Sequence, residues 1–291
     1  MSVDILQEKI RKMKNPTMLE LCTLPSELPI FLLEEGNAAA ALERFYRELL
    51  TALKGMVPAV RVSFTSFVLM GEEGVSLLSR ILKLAKDLGY YVAMDAPELL
   101  SGKMASAAAE SLFGEKSKFP CDGLIIGAYL GSDGIKPFLP YGKKGKKDLF
   151  AAVRTGNKSA PELQDLLCGT RLVHSVAADY VNRYGGDTAG KYGYTQVGIL
   201  VGATAAESIR TLRVKYPKLF MLLDGYDNPG GNAKNCSYAF DKFGHGAVVC
   251  AGSTIAQAWM QAESDGTDFA LHAQAAAERM KKNLGRYVSV L

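Results

Sequence analysis

The sequence predicts a single (β/α)₈ barrel, and three observations predict it. Eight short apolar runs, rich in β-branched residues, recur along the 291 residues. Longer amphipathic segments separate them. Most of the runs are apolar at nearly every position, which is how a parallel strand covered on both faces reads. Strand–helix alternation carried through eight strands closes naturally into a barrel. The competing architecture is an open doubly wound sheet. No Gly-rich dinucleotide fingerprint follows the first run, and the barrel is the better reading.

The strands are expected at 17–23 (TMLELCT), 59–64 (AVRVSF), 91–95 (YVAMD), 123–127 (GLIIG), 149–155 (LFAAVRT), 196–201 (QVGILV), 219–224 (LFMLLD) and 247–251 (AVVCA). Between them, residues 38–53 combine good helix formers with apolar residues at helical spacing. Residues 74–88 repeat that pattern and stop at Gly89, a natural C-terminal cap. Further helices are expected at 205–214, after the turn 202–204, and at 253–263. Two connections are long. One is 24–37. The other, 156–195, reads as a loop and helical insertion with helices at 162–167 and 171–183. Connections of that length usually cover a site or build an interface. The run 142–147 (GKKGKK) reads as a solvated loop.

Composition narrows the class. A hydrophobic fraction of 48% with 22% charged residues is that of an ordinary globular chain. The net charge of +4 comes from interspersed residues, which does not favour nucleic acid as a partner. Cys22, Cys121, Cys168, Cys236 and Cys250 are odd in number and never spaced C-x-x-C. They read as reduced thiols of a cytoplasmic protein, without a disulfide framework or metal site. His174, His245 and His272 have no likely metal ligand or nucleophile beside them. The first fifteen residues are amphipathic and lack the apolar core of a signal peptide. No apolar run approaches the ~18 residues of a membrane span. No cofactor is expected.

The chemistry should lie at the C-terminal ends of the strands, where barrel sites are built. Alternation places Met18, Glu20 and Cys22 on one face of the first strand, Ala59, Arg61 and Ser63 on one face of the second, and Ala93, Asp95 and Pro97 on one face of the third. Charges inside otherwise apolar strands are costly unless paired. Glu20, Arg61 and Asp95 therefore read as an active-site charge cluster, against the plainer alternative of a buried ion-pair layer. Cys22 stands at a site position, as a nucleophile or, more plainly, a small buried residue. Trp259 follows Ile255 at helical spacing and reads as core or dimer contact.

The order NPTMLEL, VPAVRVSF, LAKDLGYYVAMDA, CDGLIIGAYLGSDGIKPFL, VRTGN, VGILVGATAAESIRTLRVKYP, MLLDGYDNPGG and GAVVCAGSTI resembles the longer bacterial form of the orotidine 5′-monophosphate decarboxylase family. The resemblance implies a (β/α)₈ barrel, a homodimer with sites near the subunit interface, a nucleotide or sugar-phosphate ligand, and the step that makes UMP. It implies ligand contacts at Thr155 and Asn157 of the VRTGN piece. It also implies phosphate contacts from Gly230, Gly231, Ser253 and Thr254, where Gly residues and a helix start could offer backbone N–H groups to an anion.

The catalytic positions depart from the family pattern. Cys22 stands where the family has an Asp, and Arg61 where it has a Lys. The Asp-x-Lys-x-x-Asp motif reads Asp95, Pro97 and Leu100; the first acid survives, and the Lys and second Asp do not. The phosphate-gripping Gln falls at Pro229 and the Arg at Ser253. Asp224 and Asp227 add negative charge where a dianion would sit. Three functions follow from this pattern. They are a diverged homologue binding a phosphorylated or ribosylated small molecule, an active decarboxylase with atypical residues, and a non-catalytic partner of a pyrimidine enzyme.

Overall fold

The computed structural model describes residues 2–34, 36–95, 101–145, 147–185 and 188–291. Eight parallel strands form a closed barrel: β1 (Thr17–Leu21), β2 (Ala59–Val62), β3 (Tyr91–Asp95), β4 (Gly123–Gly127), β5 (Asp148–Arg154), β6 (Val197–Gly202), β7 (Met221–Asp224) and β8 (Ala247–Ala251). Each pairs with its neighbour in sequence, and β8 returns to β1 with Thr17 opposite Val249 and Met18 opposite Cys250. The open-sheet alternative is thereby excluded.

All eight expected strands are present, and β3, β4 and β8 have the expected bounds. The others differ at their ends. β1 stops at Leu21 and β2 at Val62, because the chain turns into the site loops there. Ser63 instead caps the short helix Phe64–Val68, its hydroxyl accepting from the Ser66 N–H. The helices Ala38–Ala52 and Gly71–Asp87 bury Leu, Ala and aromatic side chains against the barrel. The second ends as expected. Gly89 takes φ +88°, a conformation that L side chains rarely adopt, and its N–H closes on the Lys86 carbonyl.

Three helical expectations need correction. The stretch 253–263 is two single-turn helices, Ser253–Ala256 and Ala258–Gln261, broken at Gln257. In the insertion, Leu167–Cys168 and Arg171–Leu172 form a small antiparallel hairpin between the helices Pro161–Gln164 and Val173–Gly185. The run 142–147 is not a loop throughout, because the helix Leu139–Gly145 covers most of it. Glycine and lysine there suggested a turn, but the packed turn Lys136–Phe138 leads directly into the helix.

The first helix, Ser2–Met13, crosses the N-terminal end of the barrel. Val3, Leu6 and Ile10 are fully buried, and Gln7 accepts the Gly246 N–H at 3.0 Å ahead of β8. Above this helix lies a buried acid outside the expected strand bounds. Asp148 opens β5, is wholly enclosed, and accepts the Tyr91 hydroxyl at 2.7 Å. Burial pushes its carboxyl up to about 8, against hydrogen bonds from Tyr91, Ser2 and the Val3 N–H.

A carboxyl raised in the fold stays protonated there while the unfolded chain ionises near pH 4. The unfolded state therefore loses its proton first as pH rises, and stability falls between about pH 4 and pH 8. One such proton gives a slope of about 1.4 kcal/mol per pH unit. Asp148→Asn keeps an acceptor for Tyr91 and removes the titration. Urea unfolding should show the variant gaining stability over wild type as pH goes from 5 to 8, with the two close together at pH 4.

Candidate active site

Arg61 stands at the centre of the C-terminal mouth of the barrel. Register explains two of its contacts. Glu20 on β1 lies directly opposite Arg61, and β3 flanks it on the other side, carrying Asp95 one pleat higher on the same inward face. Arg61 Nε and Nη2 fork onto the two Asp95 oxygens at 2.9 and 3.3 Å. Nη1 reaches Asp224 Oδ1 at 2.6 Å, the last residue of β7, and lies 3.2 Å from Glu20 Oε1. Asp224 belongs to a strand that does not neighbour β2, so this contact spans the mouth. One guanidinium thus serves three carboxylates. Its side chain is 11% exposed, and those of Glu20, Asp95 and Asp224 are 19–24% exposed.

The charges are unequal in number, and the protons adjust. Burial works against the Arg61 charge, but Asp95, Asp224 and Glu20 hold it well above its ordinary value. Arg61 is a permanent cation. Burial also pushes the Asp95 carboxyl up while the Arg61 fork pulls against it. Glu20 is raised to about 7, first by burial, with Arg61 opposing and Asp224, Asp95 and Asp227 adding to the rise. Glu20 is thus held toward its protonated form by burial and by the acids around it.

Beside the cluster opens a cavity of about 380 Å³, lined in part by Glu20, Cys22, Glu27, Asp224, Asp227 and Ser253. Four of its lining residues are acids, and none of the described ones is Lys, Arg or His. Asp227 Oδ2 accepts the Gly252 N–H at 2.6 Å, just before the turn Ser253–Ala256. The Gly231 N–H is likewise committed, to the Asn228 carbonyl at 2.8 Å. The Gly230 carbonyl accepts from Asn232 and Asn235. Cys22 follows β1 at the cavity wall, its thiol pushed up to about 12 by burial and by Glu20, so it is not a thiolate nucleophile.

The structure therefore unites Glu20, Cys22, Arg61 and Asp95, with Ser253 at the same cavity. Thr155 and Asn157 bond within their own loop and to the insertion. The Thr155 hydroxyl bonds Asn157 Oδ1 at 2.6 Å, and its N–H donates to Gln164 at 2.7 Å. Their loop touches the cavity rim through Asn228, whose amide donates to the Gly156 carbonyl. Close approach is obligatory there, since a Cβ on Gly202 would lie 2.6 Å from Gly156 Cα. Pro97 and Leu100 lie outside the described residues.

Sequence reasoning noted the charge of Asp224 and Asp227 without seeing their partners. For Asp224 the signal was the rule that marked Asp95, an acid closing an apolar strand; Asp227, in the loop beyond, had none. Sequence reasoning also missed the ties of the insertion. Buried Arg154 pairs with Asp165 through Nε and Nη2 at 2.8 and 2.9 Å, and His174 Nδ1 lies 3.1 Å from the same acid.

The fold and the cluster define a closed parallel (β/α)₈ barrel that gathers its buried charges at the C-terminal ends of the strands, the end where such barrels build their sites. No family model matches the chain. Named relatives do. Orotidine 5′-phosphate decarboxylase of Clostridium kluyveri is 30% identical over 269 residues, covering 91% of this chain and 90% of that one. The enzyme of the same name from Clostridium novyi is 29% identical over 286 residues, 98% of each chain. The structure of Leishmania donovani OMP decarboxylase superposes with a TM-score of 0.76 at 22% identity over 98% of each chain, a likeness of fold. The chain belongs to the orotidine 5′-phosphate decarboxylase family.

The cluster is not symmetrical under mutation. Arg61→Met strands three carboxylates together, whereas Asp95→Asn leaves Arg61 with Asp224 and Glu20. The first should cost on the order of 3–5 kcal/mol and the second clearly less. The double variant should be more stable than the sum of the single losses implies. Urea unfolding of the four proteins measures this, and strictly additive losses would show that the two side chains do not interact.

Proposed function

We propose that this family member has a rewritten site and binds a small ribosylated molecule without decarboxylating orotidine 5′-monophosphate. The observation that carries this reading is the commitment of Arg61, the cation at the centre of the mouth, to three carboxylates beside a cavity that four acids line.

Decarboxylation at a pyrimidine ring leaves carbanion character on the carbon that loses CO₂. A nearby ammonium must stabilise that charge and deliver a proton. By the family resemblance Pro97 holds that position, and proline has no proton to give. Arg61 is cationic but held far above any pKa at which it could act as an acid. The acid expected on β1 is Cys22, a neutral thiol. Each lost electrostatic element of this kind costs ~10²–10³ in rate.

A phosphate dianion is also poorly served. The Gly252 N–H that a phosphate could use is taken by Asp227, and the cavity wall repels a second negative charge. Ribose hydroxyls suit the same wall, because ionised carboxylates are acceptors only and a sugar brings donors. Of the phosphorylated and ribosylated ligands, the ribosylated one fits better.

The dimer has its own support. Val68, Leu69, Met104, Tyr129, Leu130 and Leu167 are exposed apolar residues on the connections after β2, β3, β4 and β5, four successive strands of the barrel. We infer that a second copy covers this edge, which leaves the mouths near the two-fold axis. In the cytoplasm, where this reading places the protein, its thiols stay reduced.

Three measurements test the reading. Protein from a decarboxylase-deleted host should not convert orotidine 5′-monophosphate to UMP in a spectrophotometric assay, and Pro97→Lys alone should not restore turnover. Robust turnover by the wild type would overturn the rewritten site and favour the active decarboxylase. Thermal shift should show stabilisation by uridine or another nucleoside exceeding that by UMP, with Asp227→Asn narrowing the gap. No response to any nucleoside would favour the non-catalytic partner instead. Light scattering at micromolar concentration should give about twice the 31.4 kDa chain mass; a strict monomer would remove the dimer.

A further inference from the structure

A second cavity, of about 470 Å³, lies at the other end of the barrel and on the outside of its wall. Its floor is Leu149 and Val197, paired near the starts of β5 and β6. Asp148, one residue earlier, turns inward to Tyr91, so alternation sends Leu149 outward, away from the charge cluster. Phe113, Phe138, Leu139 and Pro140 from the covering helices supply further apolar wall. Phe113 and Phe138 meet edge to face at 6.2 Å. Volume and lining are those of a small-molecule site, apolar with a few polar groups.

The polar groups have one sign. Lys136 and Lys147 stand at this cavity, and no described lining residue is an acid. Each ammonium is held against an aromatic face, Lys136 5.6 Å from the Tyr184 ring centre and Lys147 5.7 Å from that of Phe113. Neither makes an ion pair among the described residues. Lys147 donates to the Cys121 carbonyl, which leaves two of its three N–H donors, and the Gln196 amide donates to the Gly142 carbonyl at 2.7 Å. Two cations with no counter-ion among the described residues, at the edge of an apolar cavity, complement an anion with an apolar body.

We propose that this cavity binds a small amphipathic carboxylate, its apolar body on Leu149, Val197 and Phe138 and its carboxylate between Lys136 and Lys147. A carboxylate fits better than a phosphate ester, because two point-charge ammoniums are present without an arginine fork or a set of free backbone N–H groups. The barrel wall separates this site from the mouth, so its occupancy is independent of any nucleoside there.

The probe is octanoate, with octylammonium and octanol as charge controls, titrated calorimetrically into the full-length protein. We expect saturable one-to-one binding of octanoate, weaker binding of octanol and none of octylammonium. Lys136→Ala and Lys147→Ala should each weaken octanoate about fivefold, the upper end for a partly exposed ion pair. Octanol binding should stay unchanged in both. Lys136 is exposed, so that variant tests the charge without endangering the fold. Thr188→Trp, at the edge of the cavity, should block octanoate while leaving the melting temperature within a few degrees of wild type. Absence of octanoate binding, equal binding of octylammonium, or indifference of octanoate to both lysine substitutions would each overturn the proposal.

Discussion

The mouth of this barrel depends on one cation shared among three acids. Arg61 is too well enclosed to be left unpaired, and so are the carboxylates around it. Its partners come from β1, β3 and β7, so the guanidinium ties together strands that backbone pairing alone keeps apart. Because the acids outnumber it, a proton is retained at Glu20 near neutrality instead of a third full negative charge. The raised Glu20 carboxyl and the acidity of the adjoining cavity both follow from that imbalance.

Asp227 extends the same logic to the loop after β7. A carboxylate supplied by the chain itself occupies the Gly252 N–H. An intramolecular anion needs no recruitment from solution, and any incoming anion must displace it. The loop thus meets the hydrogen-bonding needs of the Gly231 and Gly252 N–H groups internally.

Much of the fold was legible because burial on both faces leaves a signature that composition cannot hide. GLIIG and AVVCA have no second reading as exposed chain, and β4 and β8 fall at their expected bounds. The ends blurred where a local contact decides. Ser63 caps a helix instead of prolonging β2, and Asp148 joins β5 although a buried acid looks like a strand boundary. Site position was legible for Glu20, Arg61 and Asp95 through alternation. Partnership was not, since the link from Arg61 to Asp224 spans 163 residues and depends on barrel closure. For Thr155 and Asn157 nothing in the sequence signalled the bond from Thr155 to Gln164 of the insertion or the bond between the two side chains. The Gly/Lys run at 142–147 misled because helix propensity is weak evidence where packing against neighbouring turns decides.

The knot of Arg154, Asp165 and His174 bears on how the chain unfolds. Arg154 ends β5, and the other two belong to the insertion that separates β5 from β6. The insertion is tied to the barrel wall by a pair that is buried at Arg154 and 33% exposed at Asp165. Its backbone amides near His174 should exchange with solvent on the timescale of the barrel strands, as part of the same cooperative unit. On this side of the mouth the insertion is anchored at the end of β5.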